Sequence, residues 1–516
     1  MKRTILLVFV LLFTSSVFPQ AFKITGKVVD SKTREPLAFV NVVYGDPPRG
    51  TSTNIDGQFN LKLDYLPKTI EFSYLGYLTK QIKTDEIDLN NPLSIQLEQK
   101  SFGLDQVVIK PGANPANRII QKVYENREKN NPKNLRSFSY KSYNKMIFTI
   151  DTSKLISKQN LKEQDTTGVD STEIRMKNFM DKQHLMVMES ISNRKYLHPD
   201  HNKEQVIASR VSGFKDPSIA FLATQFQSLS FYDDFINMGD YNYLNPITKN
   251  SHNKYLFQLE DTVYTQQFDS VYVISFQPKK GKNFDALKGF LHINSHGYAL
   301  QKVIAEPVNH QETMNIKIQQ QYELIDGRQW FPTQLNTRIQ FKNLMPTTGQ
   351  LEFLIIGDGR TYIRNIKINP DIDPSVFDRV ELEIPEEAYK KSHDYWKDNR
   401  MSHLTKKDIR TYHVMDSLGE EHNLDRRMKT IQVMMQGYYP YKFLNLDYRK
   451  VLSYNEYEGI RLGLGAMTND KLSRWFALGG YFAYGFKDKN FKYGGKLQFN
   501  VHEDTEMQLN LSYIED

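Results

Sequence analysis

The sequence predicts a mainly β protein: an N-terminal β-sandwich, a β-rich middle domain with a few helices, and a C-terminal partial transmembrane β-barrel. Three observations predict it. Period-two alternation with closely spaced turns fills residues 22–98. β-Branched and aromatic runs, separated by turns rich in Asn, Asp and Gly, recur through residues 136–380. After Tyr439, segments of roughly ten residues alternate apolar with small or polar side chains and follow one another across tight polar turns, as membrane-spanning strands do.

The chain opens with Lys2 and Arg3, an apolar run from Ile5 to Phe13 and the polar stretch Thr14-Ser15-Ser16. That order matches a cleavable secretory signal, with cleavage expected near Gln20. The run is far shorter than the roughly 20 residues of a spanning helix. There is no cysteine among the 516 residues. This excludes a Cys-anchored lipoprotein, disulfides, Cys-ligated zinc, iron–sulfur clusters and thiol nucleophiles. The net charge of +7 is spread, with acidic and basic residues interleaved. Such a surface is solvated and argues against a nucleic-acid groove.

In residues 22–98, Ile24, Gly26 and Val28 alternate with Thr25, Lys27 and Val29, and a turn follows at Asp30-Ser31-Lys32-Thr33. Phe39 to Tyr44 is a second strand. Asp56-Gly57, between apolar alternations, signals a hairpin. Further strands start at Ile70, Ile82 and Leu93, and about seven short strands at this density make a sandwich. Gly26-x-Val28-x-Asp30, Thr33-x-Glu35-Pro36-Leu37, Gly50-Thr51-x-Thr53-Asn54-x-Asp56-Gly57-x-Phe59 and Phe72-Ser73-Tyr74-Leu75-Gly76-Tyr77 resemble the carboxypeptidase-regulatory-like domain. The resemblance implies a prealbumin-like sandwich that binds or stabilises and does not hydrolyse peptides. Asp56 is read as a turn residue with no catalytic role.

Leu104 to Ile109 resembles the stretch that leads into the plug of TonB-dependent transporters, but Pro111-Gly112 breaks it. Asn114 is placed to cap a helix carrying Pro115 in its first turn. Ile119, Ile120, Val123 and Tyr124 form its apolar face, and Pro132 ends it. Residues 99–135 are thus a linker with an amphipathic helix. Together with the sandwich and the C-terminal pattern, the chain resembles an uncharacterised outer-membrane family joining this sandwich to a C-terminal barrel.

In the middle domain, Phe138–Asp151 and His184–Asn193 read as strands, Leu155–Asp181 as a long polar insert, and Ala220–Ile236 as partly helical. Strands follow from Tyr255 through Val271–Phe276, Gly289–Ile293, Tyr298–Ile304, Met314–Leu324 and Trp330–Phe341. Their order resembles the lipoprotein-carrier half-barrel; an ordinary packed core explains the same strands more simply. His198 and His201 are the best metal candidates, but no third ligand is evident, and a surface loop is the preferred reading.

Residues 385–438 form a polar helical linker, with Thr405 and Asp408 spaced as a capping box. In residues 439–516, Ile460, Leu462 and Leu464 face one way and Arg461, Gly463 and Gly465 the other. Phe476–Phe486, Phe491–Val501 and Met507–Tyr513 repeat the pattern. Arg461 and Lys492 are expected to face a lumen, since charge toward lipid is costly. Four or five such strands do not close a barrel. The expectation is that the chain ends inside the barrel; oligomerisation is the other reading.

The functional expectation is a non-enzymatic outer-membrane envelope protein, exported by its N-terminal signal, with periplasmic binding modules for transport, assembly or envelope biogenesis. Its expected partners are outer-membrane lipid and an unknown periplasmic protein or lipid, with no nucleic acid. The alternative is a soluble periplasmic carbohydrate- or protein-binding scaffold. A TonB-dependent transporter or a carboxypeptidase-related hydrolase ranks lower, since no nucleophile elbow, P-loop or His-Glu-x-x-His motif occurs. No catalytic, cofactor-binding or metal residue is assigned.

Overall fold

The structure is a computed structural model and describes residues 22–46, 48–63, 65–74, 76–88, 91–100, 114–151, 171–215, 231–238, 241–265, 269–309, 314–341, 354–377, 381–428, 437–469, 472–473, 475–502 and 507–515. The expected signal (1–20), the Leu104–Ile109 stretch and residues 220–230 of the partly helical segment lie outside these residues.

In chain order the first strands are β1 (Phe22–Asp30), β2 (Asn41–Tyr44), β3 (Arg49–Ser52), β4 (Gln58–Leu63), β5 (Thr69–Ser73), β6 (Lys80–Lys83) and β7 (Leu93–Leu97). Helix α1 (Pro115–Glu125) follows, then β8 (Ser137–Ile150), helix α2 (Ser171–Lys182), β9 (Met186–Leu197) and β10 (His201–Val211). Next come β11 (Phe235–Met238), β12 (Tyr241–Leu244), β13 (Tyr255–Thr265), β14 (Ser270–Pro278) and β15 (Leu287–Asn294). These lead to β16 (Ala299–Pro307), β17 (Met314–Ile325), β18 (Gln329–Phe341) and β19 (Ile355–Ile368). Then come β20 (Leu382–Glu383) and the helices α3 (His393–Asn399) and α4 (Lys406–Glu421). The last strands are β21 (Tyr438–Tyr441), β22 (Leu444–Asp447), β23 (Leu452–Asn455), β24 (Gly459–Thr468), β25 (Phe476–Gly485), β26 (Phe491–His502) and β27 (Met507–Glu515). Part of the expected polar insert is therefore helical, as α2.

The chain divides into two compact units, Met1–Asn134 with Ser228–Gln340, and Leu135–Gln227 with Phe341–Asp516. In the first unit, β1 pairs antiparallel with β4 and parallel with β7. The strands β2, β3, β5 and β6 form the other layer of the sandwich. Alternation drives this packing: in β4, Phe59, Leu61 and Leu63 are buried and Gln58, Asn60 and Lys62 exposed. With Ile24, Val28, Val42, Ile70, Phe72 and Ile95 they form one apolar cluster. Each fully buried side chain of this size contributes roughly 1.5–3 kcal/mol.

The motif glycines have backbone reasons. A Cβ on Gly50 would collide with the Val42 and Val43 backbone, which β3 approaches closely. Gly57 closes the Asp56-Gly57 turn at φ +74°, a conformation that only glycine adopts at no steric cost.

An antiparallel meander, β13-β14-β15-β16-β17-β18, continues the β2/β3 layer, because β13 pairs parallel with β3 through Tyr264↔Arg49 and Thr265↔Gly50. Helix α1 starts where expected. The Asn114 side chain accepts from Ala116 N at 2.9 Å and donates to Phe257 O at 2.7 Å, tying the helix start to β13. Ile119, Ile120 and Val123 are buried.

In the second unit, β20, β10, β9, β8 and β19 lie side by side, antiparallel except for the β10–β20 pair. The Thr405 side chain accepts from Asp408 N at 3.1 Å and the Asp408 carboxylate accepts from Thr405 N at 2.7 Å, so α4 begins with the expected capping box.

The barrel expectation is corrected by the sheet at residues 438–515. Its order is β21-β22-β24-β25-β26-β27, with β23 also on β24, and among the described residues β21 and β27 are open edges that do not pair with each other. The alternation is present, with Leu462, Leu464, Leu478 and Phe482 exposed on one face and Ala477 and Ala483 buried on the other. Period two is common to a barrel strand and to any two-faced sheet, so the pattern did not distinguish them. Closure requires the first and last strands to exchange hydrogen bonds, and here they do not. The partial transmembrane barrel, the outer-membrane family resemblance resting on it and the integral outer-membrane location are overturned by this open sheet. The membrane-lipid partner loses its basis with them. No described helix is long and apolar enough to cross a membrane.

Candidate functional site

Candidate residues from the sequence are placed as follows. Asp56 accepts from Gln334 Nε2 at 3.1 Å and sits in its turn. His198 and His201 flank the β9–β10 turn, His201 lying 5.9 Å from the Phe377 ring. Among the described residues no group of three or more His, Asp or Glu side chains is placed to hold a metal. Arg461 and Lys492, expected to face a lumen, are paired. Arg461 lies 3.4 Å and Lys492 3.7 Å from Glu458, and Lys492 is 3.2 Å from Asp488.

Two buried polar centres escaped the sequence reading. The first lies in the second unit, between β8, β9, α3 and α4. The Glu189 side chain is fully buried. Its carboxylate accepts from Arg400 Nε at 2.7 Å and Nη2 at 2.8 Å, from Tyr143 OH at 2.6 Å and from Tyr412 OH at 2.8 Å. Burial opposes its ionisation, but the Arg400 and Tyr143 bonds outweigh burial and hold the carboxyl below its usual range. Nearby, Asp408 is buried with Lys145 Nζ at 2.6 Å and His184 Nε2 at 3.3 Å. Burial again pushes its pKa up, and the His184 and Lys145 contacts bring it well below the ordinary value. Both carboxylates hold the helices α3 and α4 to the sheet. A cavity of about 870 Å³ beside them is lined by charges that pair among themselves, Arg210 with Asp416 and Lys215 with Glu420.

The second centre lies in the first unit, where sandwich and meander meet. Lys302 on β16 stands opposite His292 on β15 and Gln321 on β17, so the three share one row of the sheet. Opposite residues of antiparallel strands project to the same face. The Lys302 ammonium donates to Ser52 Oγ and, at 3.1 Å, to Thr53 O, and lies 4.9 Å from the Phe39 ring centroid. Lys302 thus adds a buried side-chain link between sandwich and meander to the β3–β13 pairing and the Asp56–Gln334 bond. Burial lowers the Lys302 pKa to about 7, since the charged form loses hydration there. Burial, and then the Lys302 charge, lower His292 to about 3, so this imidazole is neutral. A cavity of about 440 Å³ opens beside the row, lined by His292, Gln301, Lys302, Gln321 and Trp330 among others. It lies within the roughly 300–1,000 Å³ typical of small-ligand sites. The signal that would have found both centres is a charged or imidazole residue inside a β-branched strand, as in Met-Val-Met-Glu189-Ser-Ile and Phe-Leu-His292-Ile.

The sandwich defines the class of the N-terminal module: residues 24–109 match the family described as CarboxypepD_reg-like domain. This bears out the regulatory-like resemblance, and that domain is non-catalytic. Residues 119–355 match the family described as "Family of unknown function (DUF5686)". Over 107 residues the chain is 26% identical to the TonB-dependent receptor P3 of Formosa agariphila, covering 21% of this chain and 10% of that protein. The chain thus matches about a tenth of that relative's length. Among solved structures, a DUF1329 family protein from Desulfovibrio piger aligns with 52% of this chain and 98% of its own at 11% identity and a TM-score of 0.22. MucB in complex with MucA(peri) aligns with 77% of this chain and 92% of its own at 7% identity and a TM-score of 0.14. Neither likeness is close enough to assign the fold.

Proposed function

We propose that this chain is a non-enzymatic, extracytoplasmic binding scaffold, soluble in the periplasm. In this reading residues 1–20 are the export signal and 22–98 the accessory sandwich. Residues 99–135 are a linker with α1, 136–380 a β-rich ligand-facing domain, and 385–438 a helical linker. The observation that carries it is the junction of the first unit, where a domain type with no catalytic apparatus is fastened to an antiparallel sheet around a polar cavity. A concave site with a few convergent polar groups is the usual form of a ligand pocket. The secretory layout of the N-terminus supplies the compartment.

The test is fractionation of cells expressing the full chain. Release by osmotic shock without detergent, as a species shortened near Gln20, is expected. Retention in the cytoplasm, or release only by detergent, overturns the reading.

A further inference from the structure

Three of the residues lining this cavity carry a buried polar atom with no hydrogen-bond partner among the described residues: Trp330 Nε1, Gln301 Oε1 and Gln321 Oε1. Trp330 is only 6% exposed. An unpaired buried polar group is destabilising, so three in the lining of one cavity call for a ligand or for ordered water. Their placement is specific. The β15–β16 register shifts between His292 and Ile293, which leaves Gln301 as the extra residue of a bulge next to Lys302. A bulge re-aims a side chain, and Gln301 and Lys302, although consecutive, line the same cavity. The Gln321 amide is fixed in orientation, because its Nε2 donates to Glu323 Oε1 at 3.1 Å, leaving Oε1 as the free group.

The three open groups are one donor and two acceptors. A simple anion offers no donor to the glutamine oxygens, and a simple cation offers no acceptor to the indole. The charged lining residues are one lysine, already bonded to Ser52 and Thr53, against the carboxylates of Asp269 and Glu323. That balance does not favour a negatively charged guest. Hydroxyl groups both donate and accept, so a polyhydroxylated ring carries both the acceptor the indole lacks and the donors the glutamine oxygens lack. An aromatic wall, here Trp330 and Tyr264, suits the apolar face of such a ring.

We infer that the cavity bounded by Gln301, Gln321 and Trp330 binds a neutral saccharide unit, with the Trp330 indole donating to one hydroxyl and the two glutamine oxygens accepting from others. Lys302 positions the sandwich wall of the site. The inference rests on the binding-scaffold reading and names its ligand class.

The experiment is calorimetric titration of the full chain with D-glucose, D-galactose, N-acetylglucosamine and maltose, and with D-glucuronate as a charged counterpart. Saturable binding of at least one neutral sugar is expected. Trp330→Phe and Gln321→Leu should each weaken it about tenfold, the scale of one hydrogen bond, while Arg210→Gln in the second unit leaves it unchanged. Should either variant fail to fold, the indole ¹⁵N–¹H signals of the unsubstituted chain give the answer. One of them must shift as the sugar is added. No saturation by any neutral sugar, tighter binding of glucuronate, or no shifted indole signal overturns the inference and leaves only ordered water in the cavity. Failure here with the chain still released by osmotic shock removes the ligand and spares the scaffold. A chain that binds sugar but stays in the cytoplasm does the reverse.

Discussion

Arg400 forms a two-pronged ion pair with Glu189, at 2.7 and 2.8 Å, across the interface between the sheet of the second unit and the segment that follows α3. The carboxylate has no exposed surface, and Tyr143 and Tyr412 complete its shell. A buried charge of this kind is tolerated only while its partners stay in place.

Arg400→Met should therefore destabilise the second unit by roughly 3–5 kcal/mol, because it leaves Glu189 buried and unpaired. Glu189→Gln combined with Arg400→Met should recover much of that loss. Urea unfolding of the single and double variants measures it. Two losses that simply add would show that the residues act independently.

Asp408 gives the second unit an acid-sensitive component. Its folded pKa lies well below the ordinary 3.8. A depressed carboxyl contributes stability that is present above the unfolded pKa and is lost as pH falls below it. Asp408→Asn should lower stability at neutral pH, since Lys145 loses its carboxylate, and should flatten the decline below about pH 4. Melting temperature against pH, compared between the two chains, reads both effects.

Lys302 and His292 act on the first unit at higher pH. The folded pKa of Lys302, about 7, is below the 10.5 of an exposed lysine. Between those values the unfolded chain holds more protons, so stability rises with pH across that window. Lys302→Met should flatten this rise, a span of roughly 3–5 kcal/mol at most. For His292 the same sign applies between about 3 and 6.5, and His292→Gln should reduce the loss on acidification there. Glu323, which favours the Lys302 charge, stays in both variants as an internal reference. Unfolding curves at a series of pH values check the slopes, and unchanged slopes would contradict the burial of both groups.

Gly50→Ala should destabilise the sandwich by about 1–3 kcal/mol, the range of an overpacked core position. The added methyl meets the backbone of Val42 and Val43 rather than a side chain that can move aside. Thermal unfolding measures the change; a shift within error would mean that β2 and β3 separate readily.

Much of the local structure was legible in the chain. Period two located the sandwich strands and the meander because a half-buried strand must alternate. Asn114-Pro115 and Thr405-x-x-Asp408 located helix starts because orphan backbone N–H groups need acceptors there. Asp56-Gly57 located a turn because only glycine takes its φ without strain.

Other features depended on which segments meet. Glu189, Arg400, Tyr143 and Tyr412 are scattered through the sequence, and no local pattern announces a shell built from separate strands and helices. Lys302, Gln321 and Trp330 come to line one cavity only when β16, β17 and β18 lie beside the sandwich. Arg461 and Lys492 were legible as charges facing away from the apolar side, but Glu458 and Asp488 as their partners were not. The C-terminal sheet marks the boundary most clearly. Alternation fixes which side chains share a face, with Leu464 on one side and Ala483 on the other. Whether the last strand returns to the first is decided by hydrogen bonds between distant backbones, on which side-chain periodicity is silent.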